Sequence, residues 1–282
     1  MLSILHISDL HFGPPYLARI GEALQAIAPT LGPDVVIASG DFTQRAKREQ
    51  FEQARRFVDA LPGVPKVFVP GNHDVPLYRI AERFTRPLEL YREHMSNELD
   101  GVLRLDEAVI VWLNSTSPRR AISNGRIHLD QLAFCEETLR SVPSSVVKIV
   151  VTHHHFLPAP DFERDQTMPK ARRALDVFVR LGVDMILGGH LHRAYIGNSL
   201  DVYAGADREH GIIIVQCGTT TSRRGRGRER EKNSFNLLRI DGDVLKITHY
   251  LYFDDERRFE PVSHHAFPRP GRRPFQDGLL AD

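Results

Sequence analysis

The chain is predicted to be an α/β protein, and three observations carry that prediction. Short apolar runs alternate with longer stretches whose apolar residues recur at helical spacing, over about the first two hundred residues. The runs are only a few residues long, which suits strands buried in a sheet. Run after run ends in a polar, often glycine-containing, turn.

The elements follow in order. Ile4–Ile7 is the first apolar run, and Ile20, Leu24, Ile27 and Leu31 form a helical stripe after it. Val35–Ala38 is the second run, followed by the helical set Phe51, Ala54, Phe57, Val58 and Leu61. Val67–Val69 is the third. A long polar helical stretch is expected from about Leu77 to Leu99, then strands at Val102–Leu105 and Val109–Leu113. Leu129–Leu139 reads as a helix, Val146–Thr152 as a strand, Ala171–Leu181 as a helix and Met185–Leu187 as a strand. Strands alternating with helices imply βαβ units and mainly parallel pairing. Short strands dominate afterwards, at Ile212–Val215, Phe235–Ile240 and Val244–Tyr250, with Asp241-Gly242 as a hairpin signal.

Bulk properties narrow the class. The 282 residues are enough for a sizeable core. Hydrophobic residues are 41% and charged residues 26%, as in globular chains, so disorder is excluded. The formal charge is +1, so no global field selects nucleic acid or an acidic partner. No apolar run approaches the roughly 18 residues of a membrane span. The sequence opens on a strand with no leader pattern, and a cytoplasmic location is expected. Cys135 and Cys217 lack metal or redox spacing. The 14 histidines are more informative, because many are grouped.

The groups fall where the apolar runs end. The first run leads into Asp9-Leu10-His11. Alternation along a strand places residues i and i+2 on one side, so Asp9 and His11 are expected to face one object. The second run leads into Gly40-Asp41, and the third into Gly71-Asn72-His73-Asp74. Later runs lead into His153-His154-His155 and Gly189-His190-Leu191-His192. Ligands of open α/β sheets bind outside the carboxyl ends of the strands. Five strand ends would therefore deliver these side chains to one edge of one sheet. Gly40, Gly71 and Gly189 precede ligand candidates, where the backbone needs positive φ or close approach.

Such a set of nitrogen and oxygen donors without thiolate fits zinc, manganese or iron. The strand ends offer Asp, His, Asp, Asn, His, His and His, and seven donors exceed one tetrahedral site and suit two ions roughly 3.5–4 Å apart, with a shared carboxylate between them. Two-metal sites support in-line displacement at phosphorus by a bridging hydroxide.

The ordered blocks Asp9-Leu10-His11, Gly40-Asp41, Gly71-Asn72-His73-Asp74, His153-His154-His155 and Gly189-His190-Leu191-His192 resemble the calcineurin-like metallophosphoesterase superfamily. The resemblance covers about two-thirds of the chain. It implies a four-layer αββα sandwich of two mixed sheets flanked by helices. It implies that Asp9, His11 and His192 hold one metal, that Asp41 bridges, and that Asn72, His153 and His190 hold the other. His73 would stand beside the scissile phosphate, to stabilise charge or protonate the leaving oxygen, and Asp74 would orient it. For Asp74 a helix N-cap is the competing role. The fourth block departs from the family's His-His-Pro-Pro form. Counting back from Leu157-Pro158 makes His153 the ligand, whereas aligning Phe156 with the first proline makes it His154.

Within the superfamily the chain is most similar to bacterial cyclic-nucleotide and glycerophosphodiester phosphodiesterases. That implies a small-molecule phosphodiester substrate, two divalent or transition metal ions (Mn, Fe or Zn) and no other cofactor. The competing readings are a nuclease acting on short nucleic acid, a phosphomonoesterase, a lipid-precursor pyrophosphatase with residues 78–99 as lid, and a metal-free scaffold. The basic loop Thr219–Lys232 is expected to lie over the metal edge with its arginines on phosphate or base. Phe12, Tyr16, Phe42 and Phe156 are candidate stacking residues. The catalytic domain is expected to span residues 1–254. Residues 255–282, rich in Arg and Pro, are expected to be a loosely ordered extension or an arm for a homo-oligomer.

Overall fold

The structure, a computed structural model, describes residues 1–119, 124–160, 166–203 and 210–271. Their elements run β1 (Leu2–Ile7), α1 (Ala18–Leu31), β2 (Val35–Ala38), α2 (Arg48–Asp59), β3 (Lys66–Phe68), α3 (Ile80–Thr85), α4 (Glu89–His94), β4 (Gly101–Arg104) and β5 (Ala108–Trp112). There follow α5 (Leu129–Leu139), β6 (Val147–Val151), α6 (Ala171–Arg180), β7 (Met185–Gly188), β8 (Tyr195–Asn198), β9 (Ile213–Gln216), β10 (Ser234–Asp241), β11 (Val244–Phe253) and β12 (Arg258–Pro268).

Two six-stranded mixed sheets result, ordered β12-β11-β10-β1-β2-β3 and β4-β5-β6-β7-β9-β8. In the first, β1, β2 and β3 are parallel and the rest antiparallel. In the second, β5, β6, β7 and β9 are parallel, with antiparallel β4 and β8 at the edges. Alternation on the strands feeds two apolar faces each. Ile4, Val35, Ile37 and Val67 pack against Ile110, Ile149, Met185 and Val215 between the sheets. On the outer face of the first sheet, Leu5, Ile7 and Val36 meet Leu24 of α1 and Phe51 and Phe57 of α2. On the outer face of the second, Val111, Val150 and Ile186 meet Leu132 and Leu139 of α5 and Phe178 of α6. The four-layer sandwich is thus observed.

Three expectations need correction. The strand ends belong to two sheets rather than one. Asp9, His11, Asp41 and Asn72 follow strands of the first sheet, and His153, His190 and His192 follow strands of the second. The stretch 77–99 is not one helix but the two short ones α3 and α4. They part at Arg86-Pro87, because proline lacks an N–H and pushes the preceding residue out of helical backbone. The tail is not loosely ordered up to Gly271. β12 pairs with β11 from Phe253↔Arg258 to Val244↔Pro268, with one bulge at Val262. It is an edge strand studded with Arg, Glu, His and Pro, which suits an edge and hides strand periodicity. Residues 272–282 lie outside the described residues.

Arg269, directly after β12, fastens the two sheets together. It is buried, and its guanidinium takes both oxygens of Asp184, at 3.2 and 3.1 Å, just before β7. It also donates to the carbonyls of Ser144, Ser145 and Val146. Arg269→Ala takes the guanidinium from the buried Asp184 carboxylate, which keeps the Lys148 backbone N–H, and from three carbonyls. It should cost about 3–5 kcal/mol. For a chain of this size that is a melting-point drop of roughly 5–10 °C, measured by calorimetry. A drop under roughly 2 °C would refute the clasp.

Candidate metal centre

The turns after β1, β2, β3, β6 and β7 meet at one place. Asp9 N donates to Gly40 O, His11 N to Asp41 O, and Gly189 N to His153 O, so the turns of each sheet brace one another. Asp9 and His11 converge, but not by strand alternation. β1 has ended at Ile7, and both residues sit in left-handed backbone, with φ of 53° and 51°. Asp41 (54°), His190 (75°) and His192 (54°) do the same. Left-handed backbone at non-glycine residues costs on the order of 1 kcal/mol or more each, and it clusters where geometry serves a site.

The glycines make room. A Cβ on Gly71 would lie 2.1 Å from Asp41 Oδ1, and one on Gly189 would lie 1.9 Å from Ser8 Oγ. Gly40 combines a φ of 98° with His153 Nδ1 at 2.5 Å from a built Cβ. Gly71→Ala must therefore push Asp41 aside. It should destabilise the fold by about 1–3 kcal/mol and weaken manganese binding, read by thermal melting and by titration with the metal. Unchanged affinity would show that the close approach is not needed.

Two donor clusters share this space. Asp9, His11, Asp41 and His192 place one donor atom each within 4.8 Å of one another. His11 Nε2 and His192 Nε2 are 2.9 Å apart, and His192 Nε2 is 3.1 Å from Asp9 Oδ1. His11 Nε2 lies 3.7 Å from Asp9 Oδ1 and 3.6 Å from Asp41 Oδ2. Donors bonded to one cation at about 2.1 Å stand about 3.0–3.4 Å apart, close to this spacing. Asp9 Oδ1 and Asp41 Oδ2 are buried and accept no hydrogen bond among the described residues. Such oxygens are costly unless an ion meets them. The residues therefore fit metal ions.

On the other side of Asp41, His153 Nε2 is 3.5 Å from Oδ2 and 3.2 Å from Asn72 Oδ1. Asn72 Oδ1 is 2.9 Å from His190 Nδ1. His154 also joins His153 and His190 within 4.8 Å. Its Nδ1, however, is engaged by Ser115 Oγ at 2.8 Å, and it is His153 that reaches Asp41. The ring of His155 stacks on that of His190.

Backbone carbonyls orient the rings. His153 Nδ1 donates to Ser39 O (2.8 Å) and His192 Nδ1 to Arg224 O (3.0 Å), which turns Nε2 of each toward the cluster. His73 Nδ1 donates to Gln44 O (3.0 Å), and its ring stands edge-on to His11 with centroids 4.9 Å apart. None of these carbonyls is visible as a motif in the sequence.

Electrostatics follow from the crowding. Burial alone would raise the carboxyls of Asp9 and Asp41. The surrounding histidines, chiefly His192 for Asp9 and His153 for Asp41, more than offset it and hold both well below the usual range. Burial opposes charge on His153, but Asp41 pushes the ring up to about 9. Burial and the charge of Asp41 push Asp74 up to about 7 against its N–H donors.

Asp74 does not orient the His73 ring. Its oxygens accept from the backbone N–H groups of Gly71, Phe42 and Thr43 and from Thr43 Oγ1, so it binds the turn after β3 to the turn after β2. This is the reciprocal bond of a helix-start cap, made at the 3₁₀ turn Asn72–Asp74. Phe12, Phe42 and Phe156 are core residues, and Tyr16 stacks on Phe12. The basic loop does reach the metal edge. Thr219 Oγ1 donates to Asp9 O and Thr221 Oγ1 to Leu10 O.

A sandwich of two mixed sheets with clustered Asp, His and Asn at the facing strand ends defines a metallophosphoesterase-type protein. The sequence model of calcineurin-like phosphoesterases matches residues 2–194, and the chain belongs to that family of hydrolases acting on phosphoester bonds. A probable cyclic nucleotide phosphodiesterase of a Synechococcus species is 28% identical over 215 residues, which are 72% of this chain and 79% of the relative. A probable glycerophosphodiester phosphodiesterase, GpdQ, of Arcobacter nitrofigilis is 26% identical over 187 residues, 64% of this chain and 66% of the relative. Among solved structures, a purple acid phosphatase from yellow lupin superposes with a TM-score of 0.71 at 14% identity, over 95% of this chain. The chain spans about half of that phosphatase, 54% of its length. PhoD superposes with a TM-score of 0.62 at 11% identity, covering 93% of this chain and 71% of PhoD. These two show the fold. Among the described residues no helix is long and apolar enough to cross a membrane.

Proposed function

We propose that the protein is a binuclear-metal phosphodiesterase that hydrolyses small-molecule phosphodiesters of the cyclic-nucleotide or glycerophosphodiester type. The observation that carries the reading is the pair of buried, hydrogen-bond-free oxygens, Asp9 Oδ1 and Asp41 Oδ2, each faced by imidazole Nε2 atoms. The names of the two sequence relatives support the diester class. Asp9, His11 and His192 would hold one ion and Asn72, His153 and His190 the other, with Asp41 between them. Two ions there, Mn, Fe or Zn by the donor set, supply Lewis acidity toward phosphoryl oxygens and make water a nucleophile at neutral pH.

The chain's own part is orientation and proton transfer. Ser39 and Arg224 carbonyls hold His153 and His192 in the donor tautomer. The Gln44 carbonyl holds the Nδ1 proton of His73, so Nε2 carries a proton only in the imidazolium form. In that form it donates to the leaving oxygen.

The test counts metals per chain and compares the manganese-loaded protein on bis(p-nitrophenyl) phosphate and p-nitrophenyl phosphate. About two metals and faster diester cleavage are expected. Two metals with monoester cleavage alone would overturn the diester class. No metal and no turnover would overturn the enzyme reading.

A further inference from the structure

We propose that Arg224, in the basic loop after β9, is a substrate-binding residue whose guanidinium takes a non-bridging oxygen of the scissile phosphate on the His73 side of the cleft. The proposal rests on the phosphodiesterase reading and names a residue that none of the five sequence blocks contains.

The loop that carries Arg224 is pinned. Thr220 N donates to Ser8 O, Arg223 N to Pro15 O and Arg226 N to His192 O. Asn233 Nδ2 donates to Ser222 O at 2.9 Å. Residues 219–226 are thus laced to the turns that bear Asp9, His11 and His192, and the placement of Arg224 is set by backbone rather than by its own reach.

Arg224 then faces two ways. Its carbonyl receives His192 Nδ1 at 3.0 Å. Its Nη1 donates to Gln44 Oε1 at 2.9 Å, and the Gln44 carbonyl receives His73 Nδ1 at 3.0 Å. One arginine therefore spans a metal-ligand candidate of the second sheet and the proton-donor candidate of the first. The rings of His192 and His73 both stand edge-on to His11, with centroids 4.8 and 4.9 Å away. The guanidinium lies on the rim joining them.

Most of its donors remain unused. A guanidinium has five N–H groups. Among the described residues, Gln44 is the hydrogen-bond partner of this one, and neither Asp9 nor Asp41 forms an ion pair with it. Arg224 is half-buried, and it feels both carboxylates as well as the like charges of Arg226 and Arg45. Cations on Asp9 and Asp41 would take up the negative charge that steadies this rim. The arginines would then face an excess of positive charge, which an anion in the cleft offsets. A planar fork with free donors suits two phosphoryl oxygens in a way that lysine does not. If Arg224 served only to hold Gln44, it would leave phosphate affinity unmoved, so the two roles separate.

The experiment uses the full chain loaded with manganese. Inorganic phosphate is titrated by calorimetry into wild type, R224A, R224Q and R224K, with the manganese-to-chain ratio measured on each. Steady-state constants on bis(p-nitrophenyl) phosphate follow. The expected result is phosphate Kd and KM both raised by roughly ten-fold or more in R224A and R224Q, with manganese content unchanged. R224K should recover only part of the loss, and added guanidinium ion should restore part of it in R224A. Unchanged phosphate affinity in R224A and R224Q overturns the proposal. Loss of manganese in both variants also overturns it, in favour of a positioning role through His192. The calorimetric arm does not need turnover. Wild type that cleaves no phosphoester, yet binds phosphate through Arg224, would defeat the phosphodiesterase reading and leave Arg224 a phosphate-binding residue with no scissile phosphate to hold.

Discussion

Asp41→Ala is expected to release metal from both clusters at once and to lower kcat/KM on bis(p-nitrophenyl) phosphate by at least about 10³-fold. The reason is that one carboxylate serves both sides. Its Oδ2 lies 3.6 Å from His11 Nε2 and 3.5 Å from His153 Nε2, and its Oδ1 accepts the His73 backbone N–H at 2.7 Å. The other carboxylate of the clusters, Asp9, has its Oδ1 beside His11 and His192 and meets the second cluster through the backbone N–H of His190. The same substitution should also lower the melting point of the metal-free fold. The surrounding histidines hold the Asp41 carboxyl well below the usual range, so its charge stabilises the apo fold at neutral pH, and Asp41→Ala leaves the buried His153 ring without its carboxylate. The manganese-loaded pair should differ by more, because the metal's binding contribution is lost as well. Atomic emission and calorimetry check both halves. Two metals retained per chain would refute the bridging role.

His73→Ala should leave the metal count at its wild-type value and reduce turnover by roughly 10²–10⁴-fold. His73 touches Asp41 through its backbone, which the substitution keeps, and its ring contributes to neither donor cluster. The loss should grow with the basicity of the leaving oxygen. A p-nitrophenolate leaves without a proton, whereas an alkoxide from a glycerophosphodiester needs one. Rates on the two substrates should thus diverge in the variant by a factor of roughly 10 or more. Equal losses on both would mean that the ring steadies charge without donating a proton. An unchanged rate on the alkyl ester would remove His73 from the mechanism.

The strand and helix order through Leu187, the stretch 77–99 aside, was legible because most of its elements are buried on a recognisable period. β2, α5 and the start of β7 lie where periodicity puts them. β8 was missed because its four residues are only half-buried and carry no alternating signal. β12 was missed because an exposed edge strand is selected to look unlike a strand. The long helix expected over 77–99 was over-read because polar spacing on both sides of Pro87 hid the break.

The site divides along a similar line. The candidate donors are scarce types at fixed intervals after strands, so the blocks holding Asp9, His11, Asp41, Asn72, His73, His190 and His192 and the cluster His153-His154-His155 could be picked out from the residues, while their roles came with the family resemblance and the choice between His153 and His154 stayed open. Their meeting could not be explained that way. Alternation along β1 was the wrong cause, since five of these residues stand in left-handed turns. The orienting groups are carbonyls of Ser39, Gln44 and Arg224, and every residue has a carbonyl, so composition holds no trace of them. The same holds for Asp74, whose motif position suggested a partner for His73 but whose carboxylate is taken by three backbone N–H groups of two turns. Residue type and order therefore determine which donors exist and what ions they suit. Which atoms face one another is decided by the packing of two sheets, because only that packing sets the backbone angles and the carbonyl contacts across them.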